Sequence, residues 1–125
     1  MITIAIADFN QTYCLGLKTM LEQVEGLRVV FIPASCLGLK ALNKLPVDIL
    51  LVDADLYQSY KTGIGEEETL WPVMKTIVLT MDRDEIATLA GVVEAILKGS
   101  GKREFAERIM KLTANKPLLI NNLIN

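Results

Sequence analysis

Short apolar runs, each closed by a polar residue, constrain this chain more than any other feature. Asp53 follows the run 47–52, Asp8 follows 2–7, Thr80 follows 76–79 and Lys98 follows 92–97. A short apolar run bounded by turn-forming residues reads as a strand buried on both faces. Buried parallel strands would bring all four polar side chains to one edge of one sheet. That edge, the carboxyl ends of the strands, is where open α/β sheets place their sites.

The segments between the runs have helical spacing. Cys14, Leu17, Met20, Leu21 and Val24 mark a helix over 12–25, with Gly26 as its stop. Strand two spans 28–32 and ends at Pro33. Ser35 caps a second helix that carries Leu37, Leu39, Ala41, Leu42 and Leu45 up to Pro46. Strand three is 47–52. From 54 to 70 the pattern weakens, which suits a loop with a short or distorted helix. Trp71-Pro72 leads into strand four, 74–79, with Trp71 read as a packing residue. Asp82 caps a short helix to about residue 90, ended by Gly91, and strand five is 93–97. Ser100 or Gly101 opens the last helix, whose inner stripe is Phe105, Ile109 and Leu112.

Five βα units with right-handed crossovers predict a doubly wound, five-stranded parallel sheet of order 2-1-3-4-5, a flavodoxin-like α/β fold. Asp8 and Asp53 then meet at the switch point beside the first strand.

Composition narrows the function. A chain of 125 residues is one domain, and 51% hydrophobic residues are enough for a compact core. No apolar run approaches the roughly 20 residues that span a bilayer, and no basic segment precedes Ile2 as in a signal peptide. A cytoplasmic location with no membrane partner is the expectation. A net charge of -2 and a pI near 5.1 argue against nucleic-acid binding by this domain alone. Lys98, Lys102, Arg103, Arg108 and Lys111 cluster late in the chain, but interleaved acids make that a solvated face.

The chain has no histidine, which removes Ser-His triads, most zinc sites and any phosphohistidine relay within it. Cys14 and Cys36 lack metal or redox spacing and read as buried thiols on helices. Gly63-Ile64-Gly65 looks like a phosphate loop, yet three glutamates follow it and no strand immediately precedes it. Two carboxylates, a hydroxyl and an ammonium at one sheet edge suit a metal ion and a phosphoryl group.

Five segments in order then match a family: Ile6-Ala7-Asp8, Gly16-Leu17-Lys18, Asp48 through Asp53, Ile77-Val78-Leu79-Thr80-Met81 and Leu97-Lys98-Gly99-Ser100. The chain resembles the receiver domain of bacterial two-component response regulators. It is most similar to the type joined to a LuxR/NarL-like helix-turn-helix output domain. The resemblance implies that Asp53 accepts a phosphoryl group from a histidine kinase, that Asp8 and Asp53 help hold Mg²⁺, that Thr80 contacts the phosphoryl group and that Lys98 pairs with it. It also implies a signalling domain rather than a metabolic enzyme, limited to self-catalysed phosphotransfer and dephosphorylation. A homodimer and, through an output domain, DNA are the further partners implied. Residues 1–115 would be the receiver, and the tail 116–125 resembles the start of a linker to such an output domain.

The chain also departs from that pattern. Phe9 stands where the family has a second acid, so the metal site should be weaker, with Asp55 as a replacement ligand or a solvated loop acid. Phe9 itself reads as a hydrophobic plug over the site. Leu56-Tyr57-Gln58 replaces a Met-Pro-Gly turn, and the segment from Thr80 to Lys98 is about one turn short. Ala95 stands where an aromatic couples the site to the output face. The third and fourth helices are thus the degenerate ones. Two other readings stay open: a degenerate pseudo-receiver acting as a phosphorylation-independent interaction or dimerisation module, and a flavodoxin-like flavin or nucleotide binder. The second is disfavoured because residues 9–13 lack the Ser, Thr and Gly density of a phosphate cradle.

Overall fold

The computed structural model describes residues 1–31, 47–64, 75–89 and 93–114. Five parallel strands form one sheet: β1 (Ile2–Ala7), β2 (Leu27–Phe31), β3 (Ile49–Asp53), β4 (Lys75–Thr80) and β5 (Glu94–Leu97). Their order is β2-β1-β3-β4-β5, as the βα pattern predicts. Of the four described helices, α1 (Gln11–Leu21), α2 (Ala54–Ile64) and α3 (Arg83–Leu89) each link two strands, and α4 (Lys102–Thr113) follows β5. The expected helix from Ser35 to Leu45, Cys36, Trp71, the short tract after Ile64 and the tail 116–125 lie outside the described residues.

Alternation along each strand divides the core in two, because successive side chains leave opposite faces of a sheet. Ile4, Ile6, Ile49, Leu51, Ile77, Leu79 and Ile96 face one way and pack with Cys14, Leu17 and Leu21 of α1 and Phe105 and Ile109 of α4. Ala5, Ala7, Leu50, Val52, Val78 and Ala95 face the other way and meet Leu56 of α2 and Leu89 of α3. Both sets are nearly free of solvent, the condition under which strands read as unbroken apolar runs.

Element ends differ from the sequence reading in instructive ways. Helix α1 stops at Leu21 rather than near residue 25. Turns occupy the gap, and Gly26 then takes a φ of 93°, a left-handed value that a glycine adopts without a Cβ clash. Its carbonyl accepts from the Ile2 amide at 2.8 Å, which ties the turn to the start of the sheet. Asp48 precedes β3 rather than opening it. Its Oδ2 accepts from the Thr3 amide at 2.9 Å and the Thr3 hydroxyl at 3.0 Å. That acid therefore fixes the β1–β3 register and does not belong to the site.

The weakly patterned segment after Asp53 forms a regular helix, α2, from Ala54 to Ile64. Asp53 ends the strand and starts this helix at once. Its Oδ2 accepts from the amides of Asp55 (3.0 Å) and Leu56 (3.2 Å), which satisfies two of the orphan donors of the first turn. Helix α3 is only seven residues long, in keeping with the shortened segment.

Candidate functional site

Asp8, Asp53, Thr80 and Lys98 all stand at the carboxyl ends of their strands. The register explains how they divide. Asp53 pairs with Leu79, and Thr80 pairs with Leu97. Asp8, Asp53 and Lys98 therefore continue the alternation of Ile6, Leu51 and Ile96 on the α1 face. Thr80 continues that of Val78 and leans toward α3.

Lys98 is the centre of the first group. Its Nζ lies 2.6 Å from Asp8 Oδ2 and 2.6 Å from Asp53 Oδ1. Asp8 is 3% exposed, and the Lys98 and Asp53 side chains retain 15% and 13%. Burial opposes the charge on the ammonium, but the two carboxylates outweigh it and hold the Lys98 pKa above 10.5. One ammonium against two carboxylates leaves one negative charge uncompensated.

Each group is braced from behind. Asp8 Oδ1 accepts from the Asn10 amide at 2.8 Å, and Asn10 in turn caps α1 by accepting from the Tyr13 amide at 3.0 Å. The Lys98 amide donates to the Thr80 carbonyl at 2.8 Å, so β4 and β5 carry the two residues as a unit. Tyr13 donates its hydroxyl to the Lys98 carbonyl at 3.1 Å and lays its ring 5.3 Å from the ammonium. Burial first, and Asp8 second, push the Tyr13 hydroxyl pKa up, so it remains a donor.

Thr80 is 3% exposed. Its hydroxyl donates to Glu85 of α3 and accepts from the Asp82 amide at 3.1 Å. A cleft of about 240 Å³ opens between these groups, lined among others by Asp53, Asp55, Thr80, Asp82, Glu85 and Lys98.

The residues suit a hard divalent cation in kind. Asp8 Oδ2 is buried and accepts no aligned hydrogen bond, although the ammonium touches it. Asp8 and Asp53 share one ammonium there, and carboxylates with water are what Mg²⁺ takes. Asp55 is exposed in the first turn of α2, and among the described residues no three His, Cys, Asp or Glu side chains come together as a metal group. Phe9 is 61% exposed, so it does not plug the site.

Two participants, Tyr13 and Glu85, carry no signal in the sequence that marks them for the site. Tyr13 stands on a helix that reads only as amphipathic, 85 residues from its partner. Glu85 reads as a first-turn acid favoured by the helix dipole.

No family model and no curated protein matches the sequence. Solved structures do match. The isolated REC domain of RcsB from Salmonella enterica serovar Typhimurium, in the apo form, has a TM-score of 0.71 at 24% identity, covering 99% of this chain and 98% of that one. The non-phosphorylated receiver domain of the stress response regulator RcsB from Escherichia coli gives 0.70 at 24%, covering 92% and 95%. This chain has the receiver fold. RcsB of the same Salmonella serovar, bound to promoter rprA in the presence of the phosphomimetic BeF3-, gives 0.68 at 22%. There the match covers 99% of this chain and 67% of that one. At such identities the likeness speaks to the fold, and the chemistry is argued from the residues. No helix among the described residues is long and apolar enough to cross a membrane.

Proposed function

We propose that this chain is a signalling receiver that accepts a phosphoryl group on Asp53 from a histidine kinase. The observation that carries the reading is the single ammonium of Lys98 held between two carboxylates at the switch point of the sheet. In the transfer, an Asp53 oxygen forms the new O–P bond as the donor's P–N bond breaks. The leaving nitrogen keeps the electron pair and takes a proton from water. Such a reaction asks little covalent work of the protein and much charge neutralisation. Lys98 supplies a fixed positive charge beside the nucleophile, and Tyr13 holds that charge in place. Asp8 and Asp53 would hold Mg²⁺, which when bound supplies the further positive charge that the transferring oxygens require. Asp55 lines the same cleft but does not join the two as a three-acid group among the described residues.

The module is a switch, not a metabolic enzyme, and works in the cytoplasm. Its output is regulation of transcription through a DNA-binding domain, as the promoter complex of a protein of the same fold suggests. Phosphorylation would act by changing contacts with that domain or with a second copy.

A second reading has its own support. Phe9 supplies no carboxylate, Lys98 already stands between the two that remain, and Glu85 holds the Thr80 hydroxyl. These features favour a pseudo-receiver that works as an interaction or dimerisation module without phosphorylation. Fluorine NMR with beryllofluoride and Mg²⁺ separates the two. The first reading expects bound-fluoride resonances that vanish in Asp53→Asn. Their absence from the wild-type chain at millimolar reagent would favour the second.

A further inference from the structure

We propose that Glu85 guards the cleft by holding the Thr80 hydroxyl, so that a phosphoryl group on Asp53 gains that hydroxyl only when Glu85 releases it. The inference rests on Asp53 being the phosphoacceptor.

A hydroxyl has one hydrogen to donate. That of Thr80 goes to Glu85, while its oxygen is occupied by the Asp82 amide. The Thr80 donor is thus already spoken for. Nor is Glu85 a long surface side chain that happens to fall there. It belongs to the first turn of α3, and the Asp82 that precedes this turn is pinned at both ends. Its amide meets Thr80, and its Oδ1 accepts from the Asp84 amide at 2.9 Å. The Glu85 amide in turn donates to the Asp82 carbonyl at 3.1 Å. The turn from β4 into α3 therefore delivers Glu85 onto Thr80.

Charge acts in the same direction. Glu85 lines the cleft together with Asp53, Thr80 and Lys98. A phosphoryl group brings up to two negative charges into that space and meets the carboxylate there. A phosphoryl oxygen must displace Glu85 to reach the hydroxyl, and the displacement would begin the movement of α3. Glu85 thereby sets how readily the site is filled and couples filling to the short helix.

The full chain tests this with phosphoramidate and Mg²⁺. In that step the Asp53 oxygen takes the phosphoryl group, the P–N bond breaks and ammonia leaves. The readout is the initial rate of mass gain, mapped to Asp53. Glu85→Gln removes the charge and keeps an acceptor oxygen, and Glu85→Ala removes both. The alanine variant should label at least fivefold faster than wild type, with glutamine between. In a Thr80→Ala background the gain from Glu85→Ala should shrink to the part that charge alone supplies, since coupled residues are not additive. The amide signals of Thr80 and Asp82 should shift in Glu85→Ala even without donor, which reports the contact apart from the chemistry. Labelling of Asp53 at the wild-type rate in Glu85→Ala would overturn the guard and leave Asp53 as phosphoacceptor. An undiminished gain in the Thr80→Ala background would also overturn it, because charge alone would then explain the effect. No label on Asp53 in any variant, the unguarded ones included, would overturn the guard and the phosphoacceptor together.

Discussion

Tyr13 does two things for Lys98 at the scale of single residues, and they can be separated. Its hydroxyl bonds the Lys98 carbonyl and its ring faces the ammonium. Tyr13→Phe keeps the ring and should cost about 1 kcal/mol, the net worth of one hydrogen bond. Tyr13→Leu loses the ring contact as well and should cost up to about 1 kcal/mol more. Urea midpoints check both. The same residue enters the pH dependence. Cys14, Tyr13 and Lys98 all have pKa values raised above their ordinary 9.0, 10.0 and 10.5. Burial is the main cause for the first two, while for Lys98 burial works against a rise made by Asp53 and Asp8. A raised folded pKa means that the native state binds more protons than the unfolded chain. The stability these groups contribute is therefore whole below their ordinary values and falls as pH climbs through the raised ones. Stability should decline above about pH 9, and Tyr13→Phe should flatten the part that begins near pH 10. A midpoint unchanged between pH 8 and 11 would contradict the burial of this cluster.

At the scale of elements, Asp53 has a structural duty besides the chemical one proposed for it. It is the last residue of β3 and the cap of α2. Asp53→Asn keeps an acceptor oxygen, whereas Asp53→Ala removes it, so the alanine variant should be less stable than the asparagine variant by about 1 kcal/mol. Chemical denaturation of the two variants decides this. Equal stability would mean that the two amides do not depend on the side chain. The double duty also shows why sequence reading reached some elements and missed others. The strands that lead to the site announce themselves because both their faces are largely buried, and the polar residue that ends each run is visible for the same reason. Asp8, Asp53, Thr80 and Lys98 were legible on those grounds. Helix α2 was not, because after Leu56 and Tyr57 its residues include Gln58, Ser59 and Gly63, and its start is secured by an acid that belongs to the preceding strand. The Thr80–Glu85 contact was out of reach for a similar reason. It depends on the phase of β4 against β3 and on the angle at which a seven-residue helix leaves the sheet.

At the scale of the whole molecule, the order of strands does most to bring the chemistry together. Placing β1 between β2 and β3 sets Asp8 beside Asp53, and adding β4 and β5 on the same side brings Thr80 and then Lys98 to that edge. None of these residues is near another in sequence, so the site exists only when the sheet does. The face of β5, where the proposed switch would be read, offers little to move. Ala95 is 5% exposed, and its carbonyl accepts from Arg108 at 3.1 Å. A methyl group there makes few contacts that could differ between two states, and a change of state requires such differences. Intact mass measures the proposed acceptance of a phosphoryl group by Asp53 most directly. The full chain, treated with phosphoramidate and Mg²⁺ and returned to neutral pH, should gain the mass of one phosphoryl group. The gain should be lost in Asp53→Asn and removed by hydroxylamine, as for an acyl phosphate. A gain that persists in Asp53→Asn, or no gain in either the wild-type chain or Glu85→Ala, would contradict it.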